Sequence, residues 1–97
     1  MMQVHFHPEA QSEYEAAIRW YYSRSPGAAS RFEAEVERVS ELIADNPQLY
    51  PSFDDEHRFA VLRRFPYTLV DSIPPQDIYI IAVAHSSRSP GYWLGRI

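Results

Sequence analysis

Apolar residues recur along this chain with two different periods. At the start Val4 and Phe6 alternate with Gln3, His5 and His7, which predicts a short strand with one buried face. From Pro8 the period becomes helical: Ala10, Tyr14, Ala17, Ile18 and Tyr21 make one apolar stripe, and Glu9, Glu13, Glu15 and Arg19 fall largely outside it. Proline suits a first helical position because its missing N–H would have no intrahelical partner there, so a first helix is predicted over Pro8–Ser23. Ser25-Pro26-Gly27 interrupts the pattern, with Ser25 as N-cap and Pro26 opening a second helix. Phe32, Val36, Val39 and Ile43 give that helix its buried stripe. The acids Glu33, Glu35, Glu37 and Glu41 read as its solvated face, and Asn46-Pro47 stops it near Asp45. A helical hairpin follows.

A loop over residues 47–56 leads into three runs rich in β-branched and aromatic residues: Arg58–Phe65, Tyr67–Ile73 and Ile78–His85. Pro66 separates the first two, and Pro74-Pro75-Gln76-Asp77 makes the turn into the third, so an antiparallel meander is predicted. IYIIAVA, residues 78–84, is the most continuously apolar run and belongs in the middle of the sheet, with the hairpin on at least one face. The segment from His85 is a polar loop followed by aromatic residues that either add an edge strand or lie across the sheet. The expected class is α+β: an N-terminal strand, a two-helix antiparallel hairpin, then a three-stranded antiparallel β-meander packed on the hairpin. One domain over residues 1–97 is expected from the length.

Charge refines this picture. Residues 1–56 carry four arginines and eleven acids, a net −7, whereas residues 57–97 carry five arginines against Asp71 and Asp77, a net +3. An acidic partner should therefore meet the second half, while the overall −4 disfavours indiscriminate polyanion binding. All nine basic residues are arginine, which removes any mechanism that needs a lysine to carry a proton. The absence of cysteine excludes disulfides and thiolate metal sites. No apolar run approaches a membrane span and the start of the chain shows no leader pattern, so a soluble cytoplasmic protein is expected.

Candidate chemistry is sparse. His5 and His7 have no further ligand at a matching spacing, so no metal or cofactor is expected, and His57 reads as a solvated loop or strand-edge residue. What remains is a set in the positive half: Arg58, Arg63, Arg64, His85, Arg88 and Tyr92. Arg63 and Arg64, adjacent on a predicted strand, should point to opposite faces. His85, Arg88 and Tyr92 near one strand end supply a titratable imidazole, a fixed fork of donors and a phenol, enough to bind a phosphate or assist proton transfer. The plainer alternative is that His85 caps the strand, Arg88 pairs with a helix acid, and Tyr92 and Trp93 fill the edge of the core.

The order of elements, Arg-Arg-Phe-Pro-Tyr at 63–67 and His-x-x-Arg-x-Pro-x-Tyr-Trp from His85 to Trp93 together resemble the RelE/ParE toxins. Tyr21-Tyr22, the Ser25-Pro26 break, Phe32 and Asn46-Pro47 extend the likeness over nearly the whole chain. The resemblance implies the toxin of a bacterial type II toxin–antitoxin pair, neutralised by a cognate antitoxin encoded in the adjacent gene. RelE-like members cut messenger RNA on the ribosome with a set of lysines and arginines and a late tyrosine; ParE-like members inhibit DNA gyrase without nuclease chemistry. Here there is no lysine, and Thr68 stands where those nucleases carry an arginine, which favours the ParE-like reading. For a nuclease the catalytic candidates are Arg88, Tyr92 and His85. For binding of target or antitoxin they are Arg58, Arg63, Arg64, Asp71, Arg88, Tyr92 and Trp93. No membrane is implied, nor sequence-specific DNA binding without the antitoxin. Family members usually carry an aromatic residue at the position of Asp71, which by alternation shares a face with Tyr67, Leu69 and Ile73. If that face is buried, Asp71 needs a partner, for which an arginine of the meander is the obvious candidate; if it is exposed, Asp71 lies at the antitoxin or target surface. The departure also leaves open a non-toxic remnant that only binds antitoxin.

Overall fold

A computed structural model describes residues 3–72 and 77–96. Strand β1 (Val4–Phe6) leads into helix α1 (Pro8–Arg24) and helix α2 (Pro26–Asp45); a 3-10 turn (Pro47–Leu49) and an extended loop then precede β2 (His57–Val61), β3 (Tyr67–Ser72) and β4 (Ile78–His85). The sheet order is β1-β4-β3-β2, with β2, β3 and β4 antiparallel neighbours and β1 parallel to β4. The α+β architecture expected from the periodicities is the one found, and IYIIAVA is an interior strand. The predicted turn at residues 74–76 lies outside the described residues.

The start of α1 depends on a histidine. Pro8 takes the first position as expected, and the His7 ring supplies the cap: Glu9 N–H donates to His7 Nδ1 at 3.1 Å. Only the neutral ring can accept that bond. His7→Ala is expected to lower stability by about 1 kcal/mol, and His7→Asn to keep most of it, measured by urea unfolding. Ser25 occupies the N-cap position of α2 but its hydroxyl makes no capping bond; its backbone N–H closes α1 on Tyr21 O at 2.9 Å.

The hairpin buries its stripe on one face of the sheet. Phe32, Val36, Val39 and Ile43 meet Ala60, Leu62, Leu69, Ile78, Ile80 and Val83, with Tyr14 and Tyr21 at the margin. A bulge divides β4 between two cores: Val70 pairs with Ala82 and Asp71 with Ile80, so Ile81 is left over. Ile81 and Ala82 consequently join Val70 and Trp93 in a second cluster on the outer face. The C-terminal aromatic segment lies across that outer face as a series of turns rather than adding an edge strand. Trp93 is 2% exposed, against Phe53, His57 and Phe59 at ring separations of 5.1, 4.8 and 6.0 Å.

Two local expectations are corrected. The first meander strand ends at Val61, not Phe65, and Arg63 and Arg64 sit in the turn that follows, with Arg64 at φ 68°. They are therefore not on opposite faces of a strand. His57 is buried rather than solvated, its Nδ1 2.8 Å from Asp54 Oδ1, and this pair fastens the loop before β2 onto Trp93.

Candidate functional site

Strand β1 is too short to cover β4, and the way the rest of that edge is satisfied builds the site. β1 pairs only with Ile78–Ile80. Further along, side chains take over: Val83 N–H donates to Glu13 Oε1 at 3.0 Å, and Arg96 Nη1 donates to Ile81 O at 2.9 Å. Arg96 also clasps Glu13, with Nη1 and Nη2 each 3.0 Å from a carboxylate oxygen. The Tyr92 hydroxyl donates to Glu13 Oε2 at 2.7 Å. One carboxylate on α1 thus holds the sheet edge, the last turn of the described chain and the tyrosine together.

The electrostatics follow from that crowding. Burial alone would raise the Glu13 carboxyl, but the bonds from Arg96, Tyr92 and Val83 outweigh it and hold the group below its usual value. Burial and the adjacent Glu13 carboxylate push the Tyr92 phenol far above its ordinary range. Two cations lie against the ring of Tyr92, the Arg88 guanidinium 3.9 Å and that of Arg96 5.1 Å from its centre. His85 Nδ1 accepts the Ser87 backbone N–H at 3.0 Å, which places the proton of the neutral ring on Nε2, and the ring meets Tyr67 edge-on at 5.0 Å. His85, Arg88 and Tyr92 line a cleft of about 490 Å³ between α1 and the end of the sheet, together with Trp20, Tyr21 and Tyr67.

The structure brings His85, Arg88 and Tyr92 together, while the other candidates are dispersed. Arg63 and Arg64 are exposed in the β2–β3 turn, and the Arg63 N–H donates to Glu35. Glu35 is thus part of the contact between α2 and that turn, not only of a solvated face. Trp93 belongs to the outer core. Arg58 and Asp71 are cross-strand partners under the hairpin, on the side of Ala60 and Leu69, and Arg58 Nη2 donates to Asp71 Oδ2 at 2.7 Å. Both are buried, so neither presents a surface to a partner. Burial pushes the Asp71 carboxyl above its ordinary value against the opposing pull of Arg58. The sequence reading missed Glu13 and Arg96. Glu13 lies between Ala10 and Ala17 at helical spacing, on the flank of the buried stripe, and that position was its one signal.

A family profile described as ParE toxin of type II toxin–antitoxin system, parDE, matches residues 4–90. The chain belongs to the ParE toxin family. A solved structure titled "Chromosomal ParDE TA system from P. aeruginosa" is similar to this ParE-family chain with a TM-score of 0.62 and 18% identity, over 88% of this chain and 96% of that one. At that identity the likeness establishes the fold. No curated protein sequence matches. The stretch of this ParE-family protein that matches includes Glu13, His85 and Arg88 but stops before Tyr92 and Arg96. The residues that tie Glu13 to the last turn thus lie beyond the shared segment.

Proposed function

We propose that this ParE-family chain is a growth-arresting toxin of the cytoplasm that binds DNA gyrase and performs no chemistry of its own. A cognate antitoxin, encoded by the adjacent gene, neutralises it. The observation that carries this reading is the state of Tyr92. A nuclease assembled from Arg88, His85 and Tyr92 would draw on that phenol to move a proton, yet its hydroxyl is spent on Glu13 and its acidity is strongly suppressed. No lysine is present to replace it. Arg88 and His85 alone offer anion binding without a matched acid and base, which suits a binding surface better than phosphodiester cleavage.

Purified chain is expected to inhibit DNA supercoiling by gyrase in a dose-dependent manner, and to leave messenger RNA intact when added to translating ribosomes. Unchanged supercoiling at saturating chain, with message cut in a manner that Arg88→Ala abolishes, would replace this reading by the nuclease one.

A further inference from the structure

The Arg88–Tyr92 stack is a ridge with a cleft on either side. The larger cleft, on the hairpin side, is walled by Trp20, Tyr21, Tyr67 and Val83. The smaller, about 170 Å³, opens on the outer face of the sheet between Phe59, Val70, Ala84 and Pro90. His85, Arg88 and Tyr92 line both. Apolar walls and a shared polar crest are thus presented side by side at one end of the molecule.

The charges at this ridge are unbalanced. Among the described residues Glu13 is the one acid lining either cleft, and both its oxygens are taken by Arg96, Tyr92 and Val83. Arg88 is exposed, and among the described residues it pairs with no carboxylate; its guanidinium sits over the Tyr92 ring instead, 3.9 Å from the ring centre. Arg24, also exposed, stacks 4.5 Å over Trp20, which lines the larger cleft and is itself 53% exposed. A guanidinium fixed by stacking loses little freedom on pairing, so a carboxylate docked on it gains a charge-assisted bond at low ordering cost.

Building on the antitoxin reading above, we infer that the antitoxin crosses this ridge with a segment that seats one apolar side chain in each cleft and an acidic residue on Arg88 between them. Charge complementarity selects the occupant. A segment with one or two acids meets only the local arginines, whereas a nucleic acid strand would also meet the field of a chain of net −4 whose first 56 residues alone carry −7. The smaller cleft, walled by Val70 and Ala84, has the size of one aliphatic side chain, and the larger, with Val83 and three aromatic rings in its wall, has room for a bulky aromatic anchor. Occupation of both clefts would bury Trp20 and cover Arg88 and His85 in the same step.

The test is calorimetric titration of the full chain with the product of the adjacent gene, using three variants and one control. Ala16→Trp fills the larger cleft from an exposed helix position, Ser89→Trp fills the smaller from its exposed rim, and Arg88→Glu reverses the crest; Glu37→Arg is a charge change on the far face of α2. Thermal melting establishes that each variant is folded. Each cleft-filling change is expected to weaken binding by about tenfold or more, Arg88→Glu by about a hundredfold, and Glu37→Arg by less than about twofold. Tight binding of wild type and of all three variants alike overturns the inference and leaves the antitoxin reading intact. Absence of binding by wild type removes both. Arg88-dependent binding of a single-stranded oligoribonucleotide that competes with the antitoxin overturns it in favour of a nucleic-acid cleft.

Discussion

Asp71→Leu alone is expected to cost about 3–5 kcal/mol of folding stability, one of the largest effects available to a single change in this chain. Asp71 is completely buried and Arg58 nearly so, and their one bond, at 2.7 Å, is the compensation each charge receives for leaving water. Among the described residues Asp71 Oδ1 and Arg58 Nε have no further partner, so the pair is only partly compensated. Removing the carboxylate strands the guanidinium under the hairpin. In a chain of this size that loss lowers the melting midpoint by more than ~12 °C. The double variant Arg58→Met with Asp71→Leu should regain most of the loss, because two apolar side chains carry no charge-desolvation penalty and the shorter methionine leaves room for the larger leucine. Urea unfolding of both singles and the double gives the coupling directly. A neutral Asp71→Leu would mean that the two side chains do not meet in the core.

Glu13→Ala ranks second, with an expected loss of about 3 kcal/mol. It removes the shared acceptor of Arg96, Tyr92 and the Val83 N–H, and leaves the β4 edge beyond β1 uncovered. Tyr92→Phe deletes one of those donors and should cost only about 1 kcal/mol, which separates the carboxylate's role from the phenol's. The pH dependence has a definite sign. Glu13 is held below its usual value, so its contribution is present above about pH 4.5 and is lost as pH falls through the lowered folded value. The stability gap between wild type and Glu13→Gln should therefore narrow on acidification. Asp71 acts oppositely: its folded value is raised, so the stability associated with it is present below about pH 3.8 and declines as pH rises through the raised value. A gap that widens in acid would contradict the network drawn around Glu13.

The hairpin was legible because Phe32, Val36, Val39 and Ile43 repeat at a spacing that only a helix turns to one side, and proline and asparagine mark its limits. The meander was legible from its β-branched runs. Its details were not, for three separate reasons. Leu62 and Phe65 look like strand residues, yet Arg64 takes a left-handed conformation that no glycine or asparagine announces. The bulge at Ile81 sits inside an unbroken apolar run, where alternation cannot reveal which residue is the extra one. Asp71, an acid among apolar neighbours, announced that if buried it needed a partner, with an arginine of the meander as the obvious candidate. Only the β2–β3 register, which sets Arg58 opposite it, identifies which one. The candidate site was legible in half: His85, Arg88 and Tyr92 are close in sequence and lie together, but Glu13 and Arg96 are separated by nearly the whole chain and meet only because β1 ends early.

The most direct test of the toxin reading is to induce this chain alone in bacteria that carry a DNA-damage-response reporter, with growth followed in parallel. Growth arrest with the reporter switched on is the predicted result, because inhibited gyrase leaves stalled or broken DNA. Arrest with the reporter silent would contradict the gyrase target and point to translation and Arg88, and unimpaired growth would contradict toxicity itself.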